Sequence, residues 1–206
     1  MARSNLSDMF SPLSFLSVAV KALLVLCFTV GVSLCQEKPE DVIRLRNLSW
    51  SRVNTPDYTV TASERSTRMK QWMRIEVRYE TVPEWIDDIE FRYFVLVNNS
   101  KKSAEEKHLM FTRNLMYIDV AKGRDKMSTI FVRPNTLERH GDVERVAVEV
   151  YYKGERVAML SSSKDDKREW WTLPGARAMG RTGYLWTRTE TPFAFVAYDL
   201  FEQLRQ

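Results

Sequence analysis

Residues 71–81, QWMRIEVRYET, and residues 88–97, DIEFRYFVLV, decide the fold class of this chain. In the first stretch Met73, Ile75, Val77 and Tyr79 alternate with Arg74, Glu76, Arg78 and Glu80. In the second, Ile89, Phe91, Tyr93, Val95 and Val97 alternate with Glu90, Arg92, Phe94 and Leu96. Successive side chains of an extended strand point to opposite faces, so a strict period of two marks a strand with one buried face. The two stretches differ on the other face. The first presents charge there. The second carries Phe94 and Leu96 where charge is expected, so that face is either covered by the chain itself or docks onto something.

The same pattern recurs outward from this pair. Residues 42–53 form a first strand whose phase slips between Leu45 and Leu48, the mark of a bulge. Residues 58–62 are a short β-prone run. The link 82–87 contains Pro83, which cannot donate to a ladder and is expected to end pairing, leaving the two opening strands as antiparallel neighbours. Residues 109–120 and 126–132 are further strands around a turn at 121–125, where Gly123 is free to take positive φ. Val143, Val146, Val148, Val150 and Tyr152 belong to another, returning through a tight hairpin at Lys153-Gly154-Glu155 into residues 156–161. Trp170-Trp171-Thr172 reads as a short extra strand. Strands do not alternate with helices, which argues against a parallel α/β sheet. The prediction is all-β: an antiparallel sandwich of about seven to nine strands. At the C-terminus Phe193, Val196, Ala197, Leu200, Phe201 and Leu204 share one helical face, while residues 193–198 also suit an extended segment. The expectation is a docked, partly irregular tail, with room for a short helix at its end.

The N-terminus is a targeting segment in this reading. Arg3 and Lys21 precede the apolar run ALLVLCFTVGVSL (22–34), and polar residues follow from Gln36. This predicts a secretory signal over residues 1–35, or an uncleaved N-terminal membrane anchor, and a single domain over residues 36–206. Both cysteines, Cys27 and Cys35, fall in the leader. A domain cut after Cys35 has no disulfide and relies on its core. Val32-Ser33-Leu34-Cys35 is a weak lipobox, with Leu34 where Gly or Ala is usual. Membrane contact is expected only through this segment, uncleaved or lipidated at Cys35. The chain is expected to be exported: periplasmic, outer-membrane-associated or extracellular. Without residues 1–35 the excess of basic over acidic residues falls to 3, and the charges are interleaved, so no stripe suits nucleic acid.

The residues offer no credible active site, cofactor loop or metal set. His108 and His140 lie in or beside loops, without companions at metal spacing, and are read as surface histidines. Ser161-Ser162-Ser163 has no nucleophile elbow. Asp87-Asp88 and Asp165-Asp166 are adjacent acids whose side chains diverge, the second pair at most an oxygen-ligand site for Ca²⁺. Gly175, Gly180 and Gly183 form no phosphate loop. Asn47-Leu48-Ser49 and Asn98-Asn99-Ser100 match the glycosylation sequon, which is meaningful only in a eukaryotic chain. Aromatics are the one surplus: Trp85, Trp170, Trp171, Tyr184, Trp186, Phe193 and Phe195 lie late or in connections. They fill the core or form an exposed patch for a partner.

Residues 72–81, the link Pro83-Glu84-Trp85, residues 89–96 and the ending Glu190-Thr191-Pro192-Phe193-Ala194 together resemble a family of small exported proteins of Gram-negative bacteria of the Verrucomicrobia and Planctomycetes kind. In these bacteria such proteins accompany type IV pilus assembly genes. The resemblance covers most of residues 42–200, and its motifs are structural. It implies an immunoglobulin-like β-sandwich in the cell envelope near the pilus machinery, with no catalytic residues to carry over. The partners to expect are other envelope or pilus-associated proteins. The side chains chosen for binding them are Phe94 and Leu96 on the sheet and Trp170, Trp171 and Arg181 in the late loops. The rival expectation is a carbohydrate-binding module, which needs Trp170, Trp171 and Trp186 exposed as a platform. A hydrolase would need a cleft with convergent polar side chains.

Overall fold

A computed structural model of the chain describes residues 42–56, 70–100, 103, 107–162 and 169–205. The chain divides into the units Met1–Gln36 and Glu37–Gln206, and every described residue belongs to the second. The expected signal or anchor with Cys35, the run 58–62 and the Asp165-Asp166 pair lie outside the described residues.

The alternating sequences form β1 (Ile43–Asn54), β2 (Gln71–Asn98), β3 (His108–Val132), β4 (Asp142–Tyr152) and β5 (Glu155–Ser161), followed by the short β6 (Gly180–Arg181), β7 (Leu185–Thr187) and β8 (Gln203–Leu204). All 8 strands are hydrogen-bonded in one sheet along the path β5-β4-β2-β3-β6, with β1 on β2 and both β7 and β8 on β3. The protein is all-β, as the alternation predicts. The phase slip in β1 is a register shift between Leu45 and Asn47.

The two opening stretches are not neighbouring strands. They are halves of one strand of 28 residues, β2, and both pair with the 25-residue β3. Pro83 does not end the pairing, because it removes a single donor, and the Val82 N–H beside it donates to the Val42 carbonyl at 3.1 Å. The strand bends there instead. The β2–β3 register shifts between Tyr79 and Thr81 and again between Thr81 and Trp85. Such irregularities let a ladder turn a corner. Opposite them β3 turns through Asp119 (φ 52°) and Asp125 (φ 59°), whereas Gly123 is not among the positive-φ residues. Aspartate is one of the few side chains that tolerate this region. The buried Thr81 ties the corner: its Oγ1 donates to the Ala121 carbonyl and accepts from the Gly123 N–H, each at 2.9 Å.

The bend folds the ribbon over itself. Tyr79 and Phe91 would lie about 40 Å apart along a straight strand. Their ring centroids are 5.1 Å apart. One layer is β1, the first half of β2, the second half of β3 and β7. The other is β5, β4, the second half of β2 and the first half of β3, with β6 and β8 at its margin. The core lies between the layers and consists of the in-phase residues of both stretches, Ile75, Val77, Tyr79, Ile89, Phe91, Tyr93 and Val95 among them, all fully buried. The architecture is sandwich-like, with β2 and β3 running through both layers.

A small polar knot crosses this core. The phenols of Tyr93 and Tyr117 donate to Ser128 Oγ at 2.6 and 2.9 Å. The Tyr79 hydroxyl is buried without a hydrogen-bond partner among the described residues. Ser128→Ala therefore leaves two buried phenols without their acceptor and is expected to cost about 1–3 kcal/mol, while Tyr79→Phe is expected to be neutral or stabilising, by about 1 kcal/mol at most. Urea titration of both variants checks the contrast. Burial pushes Tyr117 up to about 12 and raises Tyr79 and Tyr93 well above the usual phenol value. A raised phenol favours its neutral form, so this stability is complete below pH 10 and is lost as pH rises towards 12. In an absorbance titration at alkaline pH these phenols should ionise only together with loss of the fold.

Two local features complete the frame. Where a stop is predicted after Val132, helix α1 (Pro134–His140) begins with Pro134, whose fixed φ suits a first turn. It ends at Gly141, where φ is 91° and a Cβ would sit 2.0 Å from the Asn98 carbonyl oxygen. This helix turns His140 inward. Contrary to its reading as a surface residue, His140 is buried edge-on to Phe111 and Tyr184, at 5.8 and 5.3 Å between centroids. The β4–β5 hairpin turns at Lys153 (φ 50°) and Gly154 (φ 82°), the double positive φ of a type I′ turn.

Candidate functional site

Phe94 and Leu96 point outward from β2, and the chain itself covers them. Residues 169–181 fold across this face as a 3-10 turn (Trp170–Thr172), helix α2 (Pro174–Ala178) and β6. Trp170 and Trp171, together with Met110, Ala147 and Ala176, form a second apolar cluster against Phe94 and Leu96. Trp171 stacks on Phe94 at 6.0 Å and meets Trp170 edge-on at 5.6 Å. Trp170-Trp171-Thr172 is thus not a strand, and both tryptophans are interior side chains rather than exposed anchors. Four of the five side chains chosen from the sequence come together, as a covered face. The fifth, Arg181, is exposed on β6 and donates to its neighbour's carbonyl, Gly180, at 2.9 Å. The tryptophan platform of the carbohydrate reading is likewise missing: two rings are buried, and the guanidinium of Arg133 lies 3.7 Å over Trp186.

A buried carboxylate holds this cover down. Glu149, outward-facing on β4, accepts from Arg156 Nη1 at 2.8 Å, Trp171 Nε1 at 3.0 Å and Tyr151 Oη at 3.1 Å. Arg156 also reaches Glu169 at 2.8 Å, and its pKa is raised by the bonds to Glu169 and Glu149. Arg92 lies 3.8 Å over the Tyr151 ring and bonds Glu90 at 2.8 Å. A concavity of about 580 Å³ opens beside them. Both Glu149 oxygens are engaged in fastening Trp171 and Arg156, so the arrangement is a clamp on the 169–181 segment.

Among the described residues Trp85, Met159 and Leu173 are exposed singly, whereas Phe195, Val196, Tyr198 and Leu200 are exposed together on the C-terminal loop. Its stem is tied down. Phe193 stacks on Phe131 at 4.5 Å, with 6° between ring planes, and meets Trp72 edge-on at 5.9 Å. Thr187 and Glu190 form a capping box, and Arg113 bonds Glu190 at 2.9 Å. Burial opposes the charge of Glu190, but the Thr187 backbone N–H and Arg113 outweigh it and hold the carboxyl below its usual range. At the far end β8 pairs with Tyr117 and Ile118, and the Arg205 N–H donates to the Met116 carbonyl at 2.8 Å. Between these anchors the tail is irregular and carries one short helical piece, the 3-10 turn Tyr198–Leu200, rather than an α-helix. A left-handed residue, Ala197 (φ 52°), breaks the run into turns. Residues 195–200 project as a knob in which Phe195, Tyr198 and Leu200 are 80%, 64% and 63% exposed.

Phe195 belongs to the aromatic surplus of the sequence, whereas no local pattern marks Tyr198 and Leu200 as exposed. Helical spacing places Leu200 on the same buried face as Phe193. The left-handed turn at Ala197, which no residue type announces, separates them.

A family model described as “-like” matches residues 35–206. Among curated proteins none matches the chain. A crystal structure of a protein from Akkermansia muciniphila resembles this one with a TM-score of 0.68 at 23% identity, over 80% of this chain and 93% of that one. That likeness is one of fold.

Proposed function

The chain belongs to the family whose model matches residues 35–206, and from that footing we propose that it is a non-enzymatic protein of the cell envelope that works by binding other proteins. The exposed knob at residues 195–200 carries this reading. Soluble domains rarely project several large apolar side chains together unless something docks there. Aromatic side chains on a pinned loop make good anchors, because little freedom is lost when they are covered. The resemblance of residues 72–96 and 190–194 to exported proteins that accompany pilus genes supports an exported location, with partners in type IV pilus or outer-membrane assembly.

Capture from envelope extracts of the producing organism tests this. The Glu37–Gln206 unit is expected to retain pilus or outer-membrane assembly proteins, and a Phe195→Ala, Tyr198→Ala, Leu200→Ala variant to retain at least about tenfold less. Those side chains are exposed, so the variant should keep its fold, with stability within about 0.5 kcal/mol per substitution. Recovery of no such protein, or equal recovery by the variant, sinks the proposal.

A further inference from the structure

Between the knob, whose Val196, Ala197 and Leu200 form one wall, and the outer face of the first layer lies a groove of about 250 Å³. It is smaller than the ~300–1,000 Å³ of sites for drug-sized ligands, and suits one or two side chains. Its walls are largely apolar, Phe131 and Phe201 among them, yet three arginines, Arg74, Arg78 and Arg188, line it against a single glutamate, Glu76. Glu76 already accepts from Arg78 Nε at 3.1 Å and lies 3.8 Å from Arg74.

Arg188 is the unusual member. It is buried, its guanidinium lying 4.5 Å over Phe201 and 5.3 Å over Tyr198. Its one hydrogen bond runs from Nη1 to the Ala194 carbonyl, and no carboxylate among the described residues is paired with it. Thr129 Oγ1, on the same wall, is buried without a partner among the described residues. A cation withdrawn from water without a counter-charge is costly. An occupant that offsets this cost has an apolar body and a carboxylate close beside it.

The chain carries such a group on the adjoining loop. Residues 195–200 read Phe-Val-Ala-Tyr-Asp-Leu, all of them exposed, and their single charge is Asp199. The knob's inner side thus walls the groove while its Tyr198–Asp199 tip stands free of it, so tip and groove share one surface and are complementary in charge, the arrangement a two-fold interface requires. We propose that two copies of this chain pair through this surface, the Tyr198–Asp199 tip of each meeting the arginine-lined groove of the other. The inference rests on the reading of the loop as a protein-binding surface and names a second copy as an occupant. A loop-sized contact belongs to the weak class of interfaces, so the dissociation constant is expected on the order of 10–100 µM.

Analytical ultracentrifugation tests it. The Glu37–Gln206 unit holds all eight strands and their shared core, so it is used alone, from about 5 µM to about 1 mM. The unit should pass from monomer to dimer across this range. Leu200→Asp and Asp199→Arg, both at exposed positions, should each weaken pairing at least about tenfold, and Asp199→Arg combined with Arg74→Asp, which leaves the Arg78–Glu76 bond in place, should recover at least about threefold of that loss. A wild-type unit monomeric throughout, single variants that pair as well as wild type, or a combined variant that fails to recover overturns the inference. A monomer that still captures assembly proteins through Phe195 and Tyr198 overturns the pairing and leaves the protein-binding reading standing. A dimer whose triple-alanine variant captures those proteins unchanged does the reverse.

Discussion

Phe91→Ala is expected to destabilise the domain by about 3–5 kcal/mol, a large share of the ~5–15 kcal/mol that holds a typical domain folded. The size follows from where the ring sits. Phe91 is fully buried on the second half of β2, touches Tyr79 from the first half at 5.1 Å, and meets Tyr117 of β3 edge-on at 5.4 Å. Removing it opens a void between the two layers and leaves both tyrosines without the surface they pack on. Phe91→Leu, which keeps much of the volume, should cost less than half as much. Phe195→Ala deletes the same ring at an exposed position and should stay within about 0.5 kcal/mol. Urea unfolding followed by far-UV circular dichroism gives all three values. A loss below about 1.5 kcal/mol for Phe91→Ala would mean that the two halves of β2 do not pack on one another.

Trp171→Ala is expected to cost a similar ~3–5 kcal/mol for a different reason. The indole covers Phe94, supports Trp170, and supplies one of the three donors to the buried Glu149. Its loss leaves an aromatic face open and a carboxylate short of a hydrogen bond. Trp171→Phe keeps an aromatic cover but removes the N–H, and should cost about 1–3 kcal/mol. The damage should be local. Hydrogen exchange should quicken over residues 169–181 while the β2–β3 ladder stays protected. If protection falls equally in both places, the segment is integral to the main core rather than a cover laid on it.

Strand content was legible because period-two alternation is a local signal, and both stretches of β2 bury the residues the pattern names. What the pattern could not show was continuity. Pro83 reads as a stop, yet a bend needs only that each neighbouring backbone group find a partner, and Val82 finds one on the chain before β1. The anomaly at Phe94 and Leu96 was visible in the sequence, and so was the pair of outcomes it allowed. Choosing between them required knowing that residues 169–181 return across β2 and β4, a contact some 75 residues distant in sequence for which no local pattern speaks. Tyr198, Leu200 and Arg188 were hidden for the same reason. Their roles depend on a left-handed turn at Ala197 and on a cation with no acid beside it, and both are properties of the folded loop.

The doubled ribbon also sets the order in which the molecule can assemble. Asn98 pairs with His108 at the closed end of the β2–β3 ladder, and each further pair, out to Met73 with Val132, adds to the one before. The ladder can therefore zip from a short loop, so that the entropy of closing a long one is met in small increments of about 0.6 kcal/mol per doubling of loop length. Only when zipping has passed the corner at Thr81 do Tyr79 and Phe91 come into reach of each other. Substitutions beside the Asn98–His108 pair should slow folding, whereas those at the Tyr79–Phe91 contact should chiefly hasten unfolding.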